Sequence, residues 1–168
     1  MHIFAVSGLS KTGKTTVIEN LIRVFVAQGI SVATIKNSDC PFLTIENPNT
    51  DTARHREAGA ICAALRSPSV SAVLHEGQLD LKCIFGQLNQ DLVIMEGFSS
   101  VSMPKIVTAT YFDNADARYC PQTFAFSGRL AATAATYREL PVIDCFKNAR
   151  ILADIAWEKA LQNPEILF

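Results

Sequence analysis

The chain has 168 residues, of which 49% are hydrophobic and 18% are charged, which excludes an intrinsically disordered chain and fits a single domain over residues 1–168. No apolar run is long enough to span a bilayer, and the first residues lack a signal peptide's basic flank and cleavage site, so we expect a cytoplasmic protein. Fifteen basic and 16 acidic residues give a formal net charge of −1, which excludes a sequence-wide attraction to nucleic acid or an anionic membrane.

The first predicted element is a buried strand over residues 2–7, and a glycine-rich loop follows it directly. The loop runs from Gly8 to Thr16 and has the spacing Gly, four residues, Gly-Lys-Thr. Gly8 and Gly13 permit backbone conformations and close approaches that a Cβ would block, so successive N–H groups can point at phosphate oxygens. This pattern predicts a phosphate-binding loop.

Residues of this loop have separate predicted roles in binding a nucleoside triphosphate. Lys14 places a positive charge on the β- and γ-phosphates, and the Thr15 hydroxyl ligates the Mg²⁺ that bridges them. The amphipathic helix predicted after the loop, which Gly29 is placed to end, adds its positive dipole end. The candidate nucleotide-binding residues of the loop are Gly8, Ser10, Lys11, Thr12, Gly13, Lys14, Thr15 and Thr16.

A second buried strand is predicted over residues 31–35, and Lys36 and Asn37 follow it. In a doubly wound sheet, ligands bind beyond the carboxyl ends of the strands, so both side chains are expected to face the crevice of the phosphate loop. The alternative is a solvated strand end. Lys36 is therefore a further candidate nucleotide-binding residue.

Residues 37–52 are rich in Pro, Asn and Asp, which predicts a long loop. The Asp51 carboxylate at its end either caps the next helix or reaches Mg²⁺ or its waters. Arg54 and Arg56 then begin a helical pattern. They either neutralise phosphates of the nucleotide or of an anionic partner, or pair with Asp51 and Glu57 on a solvated face. Arg54 is retained as a candidate nucleotide-binding residue.

Two short strands joined by a turn are predicted around residues 67–69, and an amphipathic helix is predicted over 79–88. The next strand has four apolar residues before Glu96. A carboxylate at the end of a buried strand is the second motif of nucleoside-triphosphate sites, where it holds Mg²⁺ or its waters, although many such acids only cap a helix. Gly97 after it permits the backbone to approach the γ-phosphate.

The last third of the chain contains predicted strands over residues 103–107, 122–127 and 141–144, and a closing helix over 151–161. Lys105 is expected near the site, and Trp157 is expected to pack on the sheet. The alternation of strands and helices predicts an α/β fold with a P-loop NTPase-like, mostly parallel sheet flanked by helices on both faces, in three layers.

The five cysteines are widely separated and contain no Cys-x-x-Cys pair, which argues against a disulfide framework and a zinc ribbon. Cys62 and Cys83 lie in helical patterns and Cys145 ends a strand-like run, so these three are expected to be small buried hydrophobes. Cys40 falls in a loop near the proposed site.

Together these motifs resemble the MobB family of molybdopterin-guanine dinucleotide biosynthesis adaptors. The resemblance covers most of the first 110 residues in order. The phosphate loop is generic, whereas the Arg-His-Arg-Glu-Ala-Gly-Ala block at 54–60 and the Glu-Gly-Phe block at 96–98, followed by Pro-Lys-Ile at 104–106, are specific.

The resemblance implies a GTP- and Mg²⁺-binding protein, typically a homodimer, that assists the guanylyltransferase joining GMP to molybdopterin. It implies a slow GTPase at most, with Thr15, Asp51 and Glu96 on the metal side. No residue is firmly assigned to catalysis, for which Asp51 and Glu96 are the candidates.

The chain departs from the family pattern at two places. The family usually has histidines after the second strand, where this chain has Asn37-Ser38-Asp39-Cys40, and Ser127-Gly128 lacks the acidic residue expected to recognise guanine. The preference for GTP over ATP therefore stays open.

Two other functions use such a loop. A small-molecule kinase would clamp an acceptor phosphate with Arg54 and Arg56, but no arginine-rich lid is evident. A metal-insertion GTPase normally carries a His- or Cys-rich metal store, which three scattered histidines do not supply.

Overall fold

The computed structural model describes residues 1–40 and 45–162. Their contacts divide the chain into two compact units. The first unit contains residues 1–37 and the chain from residue 88 onward, and the second unit contains residues 38–87. A single domain over residues 1–168 stays a prediction.

The strands in chain order are β1 (His2–Gly8), β2 (Val32–Lys36), β3 (Cys62–Arg66), β4 (Ser71–His75), β5 (Leu92–Glu96), β6 (Lys105–Thr108), β7 (Thr123–Ser127), β8 (Thr136–Tyr137) and β9 (Leu140–Pro141). The α-helices are α1 (Lys14–Ala27), α2 (Asp51–Glu57), α3 (Leu81–Phe85), α4 (Phe112–Asp116) and α5 (Ala149–Lys159). A 3₁₀ helix covers Gly128–Ala132. Within the described ranges, no helix is both long and apolar enough to cross a membrane.

The first unit is built on a five-stranded parallel sheet in the order β2-β5-β1-β6-β7. The predicted parallel sheet is thus confirmed. Its central strand β1 is completely buried from Ile3 to Val6, as expected for a strand covered on both faces. Because all five strands run the same way, their carboxyl ends meet at one edge, where the chain leaves β1 between two neighbours, β5 and β6.

Helices cover both faces of this sheet, which confirms the three-layer prediction. On one face, α1 and α5 pack against each other and bury Leu21 and Phe25 over a core that includes Phe4 and Leu152. Each such side chain contributes about 1.5–3 kcal/mol through burial. On the other face, α4 and the 3₁₀ helix cover Phe126 and its neighbours.

Trp157 of the closing helix α5 packs on the first strand of the sheet, as predicted. Its ring lies 5.9 Å from the ring of Phe25 on α1 and stacks on the imidazole of His2 with centroids 3.8 Å apart. Leu161, beyond the helix, exchanges two backbone hydrogen bonds with Ile3. This end of α5 is therefore fixed to the first strand.

The second unit contains the predicted hairpin, in which β3 and β4 pair antiparallel. Thr50 accepts a hydrogen bond from the backbone N–H of Ala53 and so caps α2. Asp51 is the first residue of that helix and not its cap. Its carboxylate lies 4.0 Å from Arg54, and both side chains are largely exposed.

Arg56 makes the main ion pairs of the second unit, with Glu46 and Glu76. The alternative of a solvated face had paired the two arginines with Asp51 and Glu57. The Arg56 Nε donates to Glu76 at 2.7 Å. The bonds to Glu76 and Glu46 raise the pKa of the guanidinium. The pKa of Glu46 is lowered, most by the hydrogen bond from the Thr52 hydroxyl and then by Arg56. Arg56 thereby joins the segment before α2 to the end of β4.

Two of the cysteine predictions are wrong. Cys62 lies in β3 and not in a helix, and both Cys62 and Cys83 are exposed. The hairpin and the five-residue α3 are too small to bury both faces, so side chains that alternate outward stay in solvent. Cys145 is buried, as predicted, and Cys40 is exposed.

Candidate nucleotide-binding site

A cavity of about 760 Å³ opens at the carboxyl edge of the parallel sheet. It lies entirely within the first unit and brings together the phosphate loop, two neighbouring strand ends and two turns from the last third of the chain. The residues that line it are Ser10, Lys11, Thr12, Gly13, Lys14, Thr15, Thr16, Val17, Lys36, Glu96, Gly128, Arg129, Ala131, Ala132, Asp144, Cys145 and Phe146.

The loop is anchored where it leaves β1. The buried Thr12 hydroxyl donates to the Leu9 carbonyl at 2.9 Å and lies 2.8 Å from the Thr108 hydroxyl at the end of β6. A Cβ on Gly8 would collide with the side chain and carbonyl of Thr108. Gly8 therefore does not line the cavity but lets the loop lie against the neighbouring strand.

A second close approach fixes the far side of the loop. Gly128 has φ +84°, and a Cβ there would come within 2.5 Å of the Thr12 carbonyl oxygen and 3.0 Å of the Ala109 carbonyl oxygen. Only glycine combines this conformation with such contact. The turn after β7 is thus packed directly on the phosphate loop.

Helix α1 begins beneath the loop with free N–H groups. Gly13 at its N-cap has φ +101° and makes no side-chain capping hydrogen bond, and the first turn contains no acidic residue. The first N–H groups and the positive end of this 14-residue helix are therefore chemically suited to bind an anion. Thr15 and Thr16 line the cavity at this position.

The Lys14 ammonium lies across the loop, where it donates to the carbonyl oxygens of Gly8 at 3.1 Å and Leu9 at 2.8 Å. Burial lowers the pKa of Lys14, the nearby Lys36 and Arg118 lower it further, and Glu96 raises it. A partly desolvated ammonium among carbonyl dipoles gains strongly from a phosphate.

Lys36 and Glu96 face the same cavity from adjacent strands. They are paired in the register of β2 and β5, and the Lys36 Nζ lies 3.3 Å from a Glu96 carboxylate oxygen. Glu96 is 14% exposed and Lys36 64% exposed. The carboxylate is therefore held in place while its cationic partner remains free to swing toward a ligand.

The donor set fits a nucleotide-bound magnesium ion better than a metal held by protein alone. The Thr15 hydroxyl and the Glu96 carboxylate line one cavity, and hard oxygen ligands of this kind hold Mg²⁺ together with water and phosphate oxygens. Over residues 1–40 and 45–162, no group of three or more His, Cys, Asp or Glu side chains is arranged to hold a metal. Phosphate oxygens would complete the coordination.

Lys105 does not lie at the cavity, contrary to the sequence-based expectation. It begins β6 opposite Ala5, three residues before the strand's carboxyl end. Its side chain is 1% exposed, and its Nζ donates to the carbonyl oxygens of Phe98, Ser99 and Val101 at 3.4, 3.2 and 2.8 Å. Lys105 therefore holds the loop that follows Glu96.

The remaining predicted residues are Gly97, Asp51 and Arg54, of which only Gly97 belongs to the unit that contains the cavity. Gly97 donates its N–H to the Val6 carbonyl at 3.0 Å and has φ +93°. Asp51 and Arg54 belong to the second unit. Their roles toward a nucleotide stay predictions.

Sequence reasoning missed the far end of the cavity. Arg129 follows β7, and Asp144 and Phe146 follow β9. The available signal was the apolar run ending in an acid at Asp144, the pattern that identified Glu96. Asp144 reaches the cavity because Val142 pairs in parallel with Phe126 and so extends the sheet beyond β7 by one isolated bridge.

A family model described as MobB, molybdopterin guanine dinucleotide synthesis protein B, matches residues 3–123. The molybdopterin-guanine dinucleotide biosynthesis adapter proteins of Haemophilus influenzae and Escherichia coli are 33% and 30% identical over 110 and 112 residues. Each match covers 62% of this chain, and 61% and 63% of the respective relative. The chain thus spans about three fifths of the length of these curated relatives.

Solved structures share the fold over nearly the whole chain. The crystal structure of Bacillus subtilis MobB superimposes with a TM-score of 0.80 at 22% identity, and covers 97% of this chain and 100% of that protein. A MobB homologue from Bacillus stearothermophilus gives a TM-score of 0.67 at 18% identity, over 91% of this chain and 97% of its own. At these identities the comparison shows the fold.

Proposed function

The chain belongs to the MobB family, and from this premise we propose that it binds GTP with Mg²⁺ and serves as an adaptor in molybdopterin guanine dinucleotide biosynthesis. The observation that carries the proposal is the single cavity that joins the phosphate loop to Lys36 and Glu96. It provides anion-binding N–H groups, ammonium groups and a carboxylate, which are the groups that a magnesium-bound triphosphate needs.

The triphosphate would lie along the loop with its γ-phosphate toward Lys36 and Glu96. Lys14 would exchange the Gly8 and Leu9 carbonyls for phosphate oxygens, since a charged acceptor binds an ammonium more strongly than a neutral one. Thr15 and Glu96 would hold Mg²⁺, which neutralises phosphate charge. Any hydrolysis would depend on positioning and charge, and we expect it to be slow.

The adaptor role is supported by the names of the relatives, which are molybdopterin-guanine dinucleotide biosynthesis adapter proteins. The partner would be a guanylyltransferase that handles molybdopterin, and the nucleotide state would alter the surface presented to it. We further propose that the protein acts as a homodimer in the cytoplasm. Asp51 and Arg54 would act toward the metal and the nucleotide, as the family resemblance implies.

The site is tested by nucleotide titration of the parent protein, two site variants and two control variants, each checked for an unchanged circular-dichroism spectrum. Lys14→Ala should lose tight GTP binding, and the exposed Lys159→Ala serves as its charge-matched control. Glu96→Gln should lose most of the Mg²⁺-dependent affinity, with the exposed Glu19→Gln as control. Equal GTP binding by a folded Lys14→Ala protein would overturn the site.

The function is tested by adding molybdopterin and a guanylyltransferase after the GTP and ATP titrations. Tight GTP binding, negligible turnover, and nucleotide-dependent association with the guanylyltransferase support the adaptor. Tighter ATP binding with phosphate transfer to a small acceptor would contradict it and support a small-molecule kinase.

A further inference from the structure

The far end of the cavity carries a group of side chains that the phosphate chemistry does not use. Glu96 ends β5, the strand next to β1 on one side. Val142 pairs beside β7 and so lies three strand positions from β1 on the other side. At about 4.8 Å per strand, this separates the two ends by roughly 19 Å. A nucleotide whose phosphates lie on the loop near Glu96 therefore has its base toward Asp144 and Phe146.

Phe146 offers an aromatic surface at this end. Its side chain is 77% exposed although it lines the cavity. The small side chains of Ala131 and Ala132, on the 3₁₀ helix, line the same space. An open aromatic ring near small apolar groups leaves room for a flat heterocycle to stack, a contact that any base can make.

The Asp144 carboxylate is positioned by the backbone around it. The Ile143 N–H donates to the Phe126 carbonyl at 2.9 Å, and the buried Ser127 hydroxyl donates to the Ile143 carbonyl at 2.7 Å, so the residue before Asp144 is bonded to β7 on both sides. The Asp144 Oδ1 accepts from the Phe146 N–H at 2.9 Å, and Oδ2 lies 3.7 Å from the exposed Lys147 ammonium. The side chain is 28% exposed and retains acceptor capacity toward the cavity.

An ionised carboxylate distinguishes guanine from adenine. Guanine presents two adjacent donors, N1–H and the 2-amino group, which a carboxylate accepts together, whereas adenine presents the N1 lone pair and has no 2-amino group. A site built around such hydrogen bonds strongly rejects a ligand that lacks them. Ser127-Gly128 after β7 contains no acid, whereas Asp144 follows Val142, which lies one position further along the sheet edge.

We propose that Asp144 is the residue that determines specificity for guanine and that Phe146 stacks on the base. This inference rests on the proposed nucleotide binding. It goes beyond that binding because it assigns the base preference, which the phosphate loop does not determine, to two residues outside the loop.

The inference is tested with GTP, ITP, which lacks the 2-amino group, and XTP, which carries a 2-oxo group. We expect the parent to bind GTP about 10-fold more tightly than ITP, the value of one good hydrogen bond. Asp144→Asn should lose GTP affinity by about 100-fold and gain XTP affinity, because its amide donates to the 2-oxo group. Phe146→Ala should weaken the binding of GTP and ITP equally, by about 10-fold.

The control is Asp154→Asn on α5, an exposed carboxylate paired with Arg150, which should leave all three affinities unchanged. Equal GTP and ITP affinities in the parent would overturn the inference without any variant, and an unchanged GTP-to-XTP ratio in a folded Asp144→Asn protein would also overturn it. Both results leave the proposed GTP binding intact. A parent that binds no triphosphate would instead overturn the proposed function, and this inference with it.

Discussion

Replacing Lys105 by Met should destabilise the protein, although Met has a similar length and is more apolar. The substitution removes all three hydrogen bonds from the ammonium to the loop carbonyls. A buried carbonyl left without a donor costs about 1–3 kcal/mol. Ser99 is exposed, so water can replace the lysine there, and the 3.4 Å contact to Phe98 is weak.

The magnitude follows from the 2.8 Å bond to Val101 and the partial losses at the other two carbonyls. Burial lowers the pKa of Lys105. Because the methionine variant no longer has to desolvate an ammonium, part of the free energy lost with the hydrogen bonds is offset. We expect a net loss of about 2–3 kcal/mol in the free energy of unfolding. Lys159→Met, at an exposed lysine, should change it by less than about 0.5 kcal/mol.

Urea unfolding at several pH values measures both the loss and its sign. Because the folded pKa of Lys105 lies below the unfolded value, the unfolded state binds more protons between the two pKa values. The parent should therefore gain stability relative to Lys105→Met as the pH rises through that interval toward about 10. Equal unfolding midpoints for the parent and Lys105→Met would refute the argument that the ammonium holds the loop.

Three further outcomes are expected. Gly128→Ala should lower the free energy of unfolding by more than about 3 kcal/mol and abolish nucleotide binding. Gly29 has a similar φ of +79° but open space around it, so Gly29→Ala should lower the free energy of unfolding by about 1 kcal/mol. Urea unfolding measures both losses. Burial and the terminal ammonium lower the pKa of His2. The free energy of unfolding should therefore fall, and the fluorescence of the stacked Trp157 should be quenched, as the pH drops below about 6.5 and through that lowered pKa. A fluorescence signal and a free energy of unfolding that do not change with pH would contradict this. Burial raises the pKa of Cys145, so it should be the last thiol to react in a timed labelling experiment; early labelling would contradict its burial.

The first half of the site could be predicted because its signals are local. The glycine spacing, the apolar run before it and the amphipathic pattern after it specify strand, loop and helix within about 27 residues. Lys36 and Glu96 follow buried runs of parallel strands, so their meeting at one edge follows from topology. The structure places them in one register and 3.3 Å apart.

The second half depends on contacts between distant residues. Asp144 gains its position from the parallel pairing of Val142 with Phe126, and a three-residue run does not reveal its neighbour. The direction of the Lys105 side chain is determined by carbonyls of a loop with no regular pattern. The exposure of Cys62 follows from the small size of the β3–β4 hairpin, whereas its sequence pattern resembled a helix.

The anchoring of the phosphate loop by Thr108 on one side and Gly128 on the other has a consequence for how this protein could signal. A loop fixed by two neighbouring strand ends loses its conformational entropy during folding, so little remains to be lost when a ligand arrives. Such a loop is a rigid binding site, and its conformation stays the same with and without a bound ligand. A nucleotide-dependent conformational change must instead involve groups that are free to move, and the largely exposed Lys36 side chain is the first of these.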